Sequence, residues 1–173
     1  MNYITAFSPI LQIPSIASII NMENTVSIEY ATPDVLDQIL EIEENCFAAD
    51  SFSKKQFVYL MTKAKGVFYV AKIKERVVAY ISVVTNKYIN YARIYSIAVH
   101  PDFRRYKLGQ LLIEKTISYT RQNKFKFLLL EVKTTNIAAI SLYEKNGFVK
   151  THIKQYYYAD GSDAYSMRLN LTY

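Results

Sequence analysis

The feature that most constrains the fold is a nearly continuous apolar run in the second half of the chain. Residues 126–132 read Lys, Phe, Leu, Leu, Leu, Glu and Val. A strand this apolar is typical of the middle of a sheet, where both of its faces are buried. Helical patterns at residues 105–122 and 136–145 precede and follow it. The strand is therefore predicted to belong to an α/β domain in which helices cover the sheet.

Six further strands are predicted from alternating or apolar runs bounded by turn residues. They lie at residues 26–31, 67–73, 77–85, 93–99, 148–153 and 164–171. Two more helices are predicted between the first two of these strands. Thr32 is expected to cap the first helix, Ser53 and Gln56 form a capping box for the second, and Gly66 is expected to end it. The predicted order is β-α-α-β-β-β-α-β-α-β-β, without an internal repeat.

Composition excludes several classes of function. The chain has 173 residues, of which 51% are hydrophobic, which suits one globular domain. Its four glycines are far apart, so neither a GxGxxG nor a GxxxxGK nucleotide loop is present. With Cys46 as the single cysteine and two isolated histidines, we expect no disulfide, metal site or catalytic triad. The net charge of +6 suits an anionic partner such as a nucleotide cofactor, a ribosome surface or nucleic acid.

The first 22 residues differ from the rest because they carry no charged side chain and many of them are apolar. A membrane span or a signal peptide would fit this apolar content. No basic region precedes it, however, and Pro9 and Pro14 interrupt it. We expect either an extension packed on the domain or an upstream start, with Met22 as the functional initiator. The predicted division is an N-terminal extension at 1–22 and one domain at 23–173.

A basic turn between a strand and a helix is the first candidate binding site. Arg104, Arg105 and Lys107 follow the strand at 93–99 and come just before or within the first turn of the predicted helix. Free backbone N–H groups and the helix dipole attract phosphate at such a position. On charge alone, an ordinary connection with solvated basic side chains is an equally good interpretation.

The second candidate site lies at the end of the apolar strand and in the helix that follows. Glu131 is an acid in an apolar strand, where burial raises the pKa of a carboxyl group that is not paired. Asn136 and Tyr143 are seven residues apart and are predicted to project from one helix face. The alternatives are a glutamate that reaches solvent and a core tyrosine whose hydroxyl has a partner.

Together the two segments resemble the GNAT superfamily of N-acetyltransferases, which transfer an acetyl group from acetyl-CoA to an amine. Residues 104–109 are similar to that family's pyrophosphate signature, Q/R-x-x-G-x-G/A. Gly109 fills the last glycine position, whereas Lys107 stands where the first glycine is expected. Residues 130–148 and 157–167 are similar to the protein N-terminal acetyltransferases, including the ribosomal-protein-alanine type and the archaeal enzymes that act on nascent chains.

This resemblance extends over residues 26–171 and implies a fold and a mechanism. The fold is a single GNAT-like domain with a mixed, mostly antiparallel sheet, splayed middle strands and helices on both faces. The implied reaction is direct attack of the amine on the thioester, with Glu131 as general base through a water and Tyr143 as general acid. Acetyl-CoA is the implied co-substrate, without a metal. The residues implied to bind it are Ile97, Ala98, Val99, Arg104, Arg105, Tyr106, Lys107, Leu108, Gly109, Gln110 and Asn136.

The resemblance also implies an acceptor, the N-terminus of a protein or peptide, including ribosomal proteins or nascent chains. Phe47, Phe52, Tyr157 and Tyr158 are implied to hold its first residues. An α-amine titrates near about 7.7–8.0 and a lysine near about 10.4, so the α-amine loses its proton more readily. Cytoplasmic location is expected, with neither nucleic acid nor a membrane as a partner. The alternatives are acetylation of lysine side chains or small amines, and a non-catalytic module that binds acetyl-CoA.

Overall fold

The computed structural model describes residues 26–47 and 50–171, and the predicted extension at 1–22 lies outside these described residues. The strands are β1 (Val26–Tyr30), β2 (Gly66–Ile73), β3 (Arg76–Asn86), β4 (Tyr91–Val99), β5 (Phe127–Lys133), β6 (Val149–Lys154) and β7 (Ala164–Asn170). The helices are α1 (Leu36–Phe47), α2 (Lys54–Thr62), α3 (Leu108–Gln122) and α4 (Ile137–Lys145). The predicted order of elements is confirmed, with short 3-10 turns added before α1 and after β4.

Within the described part of the chain, the strands form one sheet in the order β1-β2-β3-β4-β5-β7-β6. Neighbouring strands are antiparallel, except that β4 and β5 are parallel. These two strands pair only through Tyr91–Phe127, Ala92–Leu128 and Arg93–Leu129, at their amino-terminal ends. Beyond these pairs the strands diverge and open a gap in the middle of the sheet. The prediction of a mixed sheet with splayed middle strands is therefore confirmed.

Two hydrophobic cores hold the helices against opposite faces of the sheet. On one face, Ile39 of α1 and Phe57 of α2 pack in a cluster with Tyr80 of β3. On the other face, α3 and α4 contribute Leu112 and Ile140 to a larger cluster that contains the apolar side chains of β5. Burial of these side chains supplies most of the free energy that fixes the position of each helix. No helix among residues 26–47 and 50–171 is long and apolar enough to cross a bilayer.

Strand β5 is not buried on both faces, so this part of the sequence-based prediction is wrong. Leu128, Leu130 and Val132 are buried under α3 and α4, whereas the alternate residues, including Leu129 and Glu131, are only half-buried. The reason is the arrangement of the helices on the other face, where α1 and α2 pack on β2, β3 and β4. The second face of β5 is left to line the gap between β4 and β5.

Two predicted details of the helices need correction. Helix α3 begins at Leu108 rather than at residue 105, because Arg105 and Lys107 have φ angles of 70° and 58°. Gly66 does not end α2, which stops at Thr62. It begins β2, where an added Cβ would lie 1.9 Å from the Val83 carbonyl oxygen.

Of the two capping predictions, the one for α1 is wrong and the one for α2 is confirmed. Thr32 makes no side-chain capping bond, and a 3-10 turn at Pro33–Val35 precedes α1. The predicted capping box of α2 is confirmed, since Ser53 Oγ accepts from the Gln56 N–H at 3.4 Å and Gln56 Oε1 accepts from the Ser53 N–H at 2.8 Å.

Candidate active site

A cleft of about 490 Å³ lies where β4 and β5 separate. Its walls come from α1, β4, β5, the start of α4 and the loop between β6 and β7. Eight of the residues that the sequence predicts for the site line this cleft: Phe47, Phe52, Ile97, Glu131, Asn136, Tyr143, Tyr157 and Tyr158. The other predicted residues are Ala98, Val99 and 104–110. They follow one another from the end of β4 to the start of α3, and they are not among the residues that line the cleft.

Glu131 lies between two cations rather than in an apolar environment, so the expectation of an unpaired buried carboxylate is wrong. Its Oε2 is 2.5 Å from Nη2 of Arg93, and its Oε1 is 2.7 Å from Nζ of Lys154. The Glu131 side chain is 11% exposed. Arg93 lies on β4 and Lys154 on β6, so the two cations reach the carboxylate from different parts of the chain.

The same two cations also hold Tyr157. Arg93 Nη2 donates a hydrogen bond to the Tyr157 hydroxyl at 3.1 Å, and Lys154 Nζ lies 5.2 Å from the centre of its ring. The Tyr157 ring contacts that of Tyr158 edge to face, with 5.2 Å between centroids. Glu131 and this pair of tyrosines therefore share their supporting contacts.

The loop between β6 and β7 is joined to the loop after α1. Asp50 Oδ1 accepts a hydrogen bond from the Ala159 N–H at 3.0 Å. Tyr158, beside Ala159, lies under Nζ of Lys133, and Lys133 pairs with Asp160 at 2.5 Å. Burial is the main cause that raises the pKa of Tyr158 to about 12. These contacts fix the two loops relative to each other on one side of the cleft.

Tyr143 and Asn136 both line the cleft, as the sequence predicts, but in different ways. Tyr143 is buried and packs on Phe148 with 5.8 Å between ring centroids, and burial raises the pKa of its hydroxyl far above the usual value. Asn136 is exposed and caps α4, because its Oδ1 accepts from the Ala139 N–H at 3.1 Å. Its side-chain oxygen is thus engaged, and the amide N–H groups are the donors that this side chain offers.

The turn before α3 contains a left-handed residue directly before the helix. Lys107, with φ 58° and ψ 13°, is left-handed and immediately precedes the helix. A left-handed residue followed by helical ones points successive N–H groups in one direction, at the positive end of the helix dipole. Lys107 therefore adopts the conformation that usually favours glycine, at the position where the signature has one.

At position 109, glycine is explained by close packing rather than by the backbone conformation. Its backbone lies in the first turn of α3, and an added Cβ would lie 3.2 Å from Cδ2 of Leu142 in α4. That distance is shorter than ordinary van der Waals contact, so the Leu142 side chain would have to shift by a few tenths of an ångström to admit a Cβ. The signature position thus lies in close contact with α4.

The charged residues in or beside the cleft that sequence reasoning missed include Glu43, Arg93 and Lys154. Glu43 could have been found, because it follows Val35 and Ile39 at intervals of four residues and so lies on the buried face of α1. Nothing in the local pattern marks Arg93 or Lys154, since their role depends on the sheet order.

The fold, with its splayed sheet and its helix N-terminus, is shared with solved structures of acetyltransferases. The sequence pattern of the acetyltransferase (GNAT) family matches residues 36–148, and the chain belongs to this family. It is 30% identical over 151 residues to the N-alpha-acetyltransferase of Sulfolobus acidocaldarius, covering 81% of this chain and 89% of that protein.

Two solved structures extend the comparison. The crystal structure of the ribosomal-protein-S18-alanine N-acetyltransferase from Escherichia coli has a TM-score of 0.78 and 28% identity, over 86% of this chain and 95% of that one. Arabidopsis thaliana NAA60 in complex with acetyl-CoA has a TM-score of 0.76 over 85% of this chain and 100% of that one. At 16% identity, the second likeness concerns the fold alone.

Proposed function

We propose that this chain acetylates the α-amine of protein or peptide N-termini with acetyl-CoA as the acetyl donor. The observation that carries the proposal is the pair of loops joined by Asp50 and Ala159, which holds Tyr157 and Tyr158 beside a carboxylate in the cleft. An opening bounded by two fixed loops suits a narrow, extended chain end. The N-alpha-acetyltransferase name of a relative that is similar over 81% of this chain supports the same acceptor.

The residues of the splayed strands and of the turn before α3 fit acetyl-CoA. Among the described residues, no strand pairs with β4 past Arg93 on the β5 side, so Ile97 and Val99 are suited to pair with amides of the pantetheine arm. The N–H groups from residue 105 to 110, together with Arg104, Arg105 and Lys107, are suited to the pyrophosphate. Asn136 would donate from its amide to the pantetheine arm. The bound thioester supplies the acetyl group.

The chain's own residues would then manage protons and charge. Glu131 is the proposed acceptor of a proton from the attacking amine, through a water. Tyr143 is proposed to donate a hydrogen bond to the leaving sulfur. Because burial raises the pKa of Tyr143, the hydroxyl keeps its own proton and acts as a hydrogen-bond donor rather than by full transfer. Arg93 and Lys154 hold the Glu131 carboxylate in place.

Peptides with a free α-amine are expected to be acetylated, whereas the same peptides blocked at the N-terminus but containing lysine are not. The α-amine is the easier nucleophile by more than two pKa units, which is about 3 kcal/mol of deprotonation free energy. Mass spectrometry of each peptide after incubation with acetyl-CoA reports both turnover and the modified nitrogen. Acetylated lysine in the blocked peptides, or acetylated polyamines alone, would establish the alternative acceptors instead.

Lys107→Gly is expected to preserve binding of acetyl-CoA while making the affinity less dependent on salt. Glycine retains the left-handed turn, but one cation near the pyrophosphate is removed. Fewer charge–charge attractions then remain for salt to screen, so the affinity depends less on salt. Calorimetric titration at several salt concentrations measures the slope. Lys124→Gly is the matched control, because Lys124 has φ 57° at the opposite end of α3. An unchanged slope in Lys107→Gly would show that the Lys107 charge does not act on the cofactor.

A further inference from the structure

A second carboxylate faces the cleft from the wall opposite Glu131. Glu43 of α1 is 2% exposed, yet it lines the cleft. Its Oε1 accepts a hydrogen bond from the Phe52 N–H at 2.7 Å, and its Oε2 accepts one from the Tyr80 hydroxyl. None of the ion pairs found among the described residues involves Glu43. This carboxylate is therefore desolvated and held by neutral donors, unlike Glu131.

A bulge in β4 connects this carboxylate with the gap between the strands. The pairing of β3 with β4 shifts between Ser82 and Val83, so that Tyr95 is the extra residue of β4. The shift reverses the alternation of the strand. Ile94 belongs to the core under α3, while Ala98 belongs to the core under α1, and Ser96 reaches the Tyr80 hydroxyl at 2.9 Å. Ser96 also lines the cleft.

The charge of Glu43 sets the direction of the hydrogen bonds along this chain of groups. When Glu43 is ionised, Tyr80 donates its single hydroxyl proton to the carboxylate, and Ser96 then donates its own proton to the Tyr80 oxygen. The lone pairs of Ser96 Oγ can then accept a hydrogen bond from a donor in the cleft. An N–H or a water at that point would complete a continuous path to Glu43.

The reaction can use such a path because two protons leave the acceptor nitrogen. An α-ammonium group has three N–H bonds and the product amide has one. The C–N bond forms from the nitrogen lone pair, and the C–S bond breaks with its electrons on sulfur. The thiolate regains a proton from solvent, so one proton is released in each turnover. Glu131, as proposed above, accounts for one of the two departing protons.

We propose that Glu43, acting through Tyr80 and Ser96, receives the other proton, an inference that rests on the proposed acetylation of α-amines. The nitrogen gives a proton to Ser96 Oγ, Ser96 passes its own to Tyr80, and Tyr80 passes its own to Glu43. The transfers occur together, because burial raises the pKa of Tyr80 and disfavours a free tyrosinate. Glu43 then returns its proton to solvent and the path is restored.

The surroundings of Glu43 determine how the rate depends on pH. Burial raises the pKa of Glu43, although the hydrogen bonds from Tyr80 and Phe52 act in the opposite direction. The titratable groups that face it are Tyr80 from β3 and Cys46 from its own helix, and burial raises the pKa of both. Phe57 of α2 packs on the Tyr80 ring with 5.6 Å between centroids, and Ser96 of β4 reaches the Tyr80 hydroxyl. The rate should fall, as pH decreases, at a higher pH than an ordinary glutamate would give.

Glu43→Gln is the direct test, because the amide keeps an oxygen for the Phe52 N–H but cannot take up a proton. We expect kcat for a free-amine peptide to fall about tenfold, with the peptide KM and the affinity for acetyl-CoA within twofold of the unchanged protein. The acidic limb of the pH profile should shift or disappear. Glu44→Gln, on the exposed side of the same helix, is the matched control and should change none of these values.

Ser96→Ala separates the proton path from the structural role of Glu43, since it leaves the bonds to Tyr80 and Phe52 intact. It should reproduce the loss in kcat and the altered pH profile, and it tests the path even if Glu43→Gln does not fold. An unchanged kcat and pH profile in Ser96→Ala, or a rise in peptide KM alone in Glu43→Gln, would overturn the inference. Absence of α-amine acetylation by the unchanged protein would instead refute the proposed function.

Discussion

Replacing Glu131 with Gln should lower the turnover of free-amine peptides by on the order of 10²-fold, at an unchanged affinity for acetyl-CoA. The amide has the shape of the carboxylate but cannot accept a proton from the amine. It also removes the negative charge that pairs with Arg93 and Lys154. A 10²-fold loss corresponds to about 2.7 kcal/mol of transition-state stabilisation. Steady-state kinetics and calorimetric titration with acetyl-CoA measure the two quantities separately.

The control for Glu131→Gln is Glu144→Gln in α4. Glu144 is also paired with a lysine, Lys150 at 3.0 Å, but it is half exposed and does not line the cleft. Its substitution should leave turnover unchanged. Melting temperatures of both variants show whether a loss of rate reflects loss of the fold. Turnover of Glu131→Gln within a factor of two would mean that Glu131 does not accept the proton.

The features that the sequence predicted are those determined by short stretches of chain. The order of elements follows from the periodicity of apolar residues, which reflects burial on one face at a time. The capping box at Ser53 depends on two residues three positions apart and is confirmed. The signature marked Lys107 as a position where glycine is expected, and Lys107 has the left-handed φ that glycine adopts readily.

The contacts of the candidate site could not be predicted in the same way, because they join residues that are distant in sequence. Arg93 and Lys154 meet Glu131 only because β4 and β6 lie on opposite sides of β5 in the sheet order. The apolar composition of β5 predicted burial on both faces. The divergence from β4 exposes one of those faces to a cleft, and hydrophobicity alone does not reveal such a gap.

Glu131 and Glu43 show how a mechanistic prediction suffers when contacts between distant residues are unknown. Glu131 was expected to be a desolvated acid on the strength of its apolar neighbours in sequence, and in the fold it has two cations within 3 Å. Glu43 meets the expected description instead, since burial is the main influence on it and raises its pKa. The environment of a carboxylate depends on its neighbours in space, which a strand pattern does not define.

Tyr143→Phe should lower turnover by on the order of tenfold to 10²-fold, because the hydroxyl donates to the sulfur on which charge develops. Burial raises the pKa of Tyr143, so the hydroxyl stays protonated through the neutral and mildly alkaline range. The alkaline limb of the pH profile should therefore be the same in the variant and the unchanged protein. Rates measured from pH 6 to about 9.5 distinguish a donated hydrogen bond from a proton transfer that depends on tyrosine titration.

Tyr119→Phe is the matched control for this last variant. Tyr119 is half-buried in α3, burial also raises the pKa of its hydroxyl, and its ring packs on Tyr69 with 6.5 Å between centroids. It does not line the cleft, so loss of its hydroxyl should change stability slightly and turnover not at all. If both variants keep full turnover, Tyr143 is a core tyrosine. If Tyr143→Phe alone is slow and its alkaline limb is unchanged, the hydroxyl acts on the leaving group by hydrogen bonding.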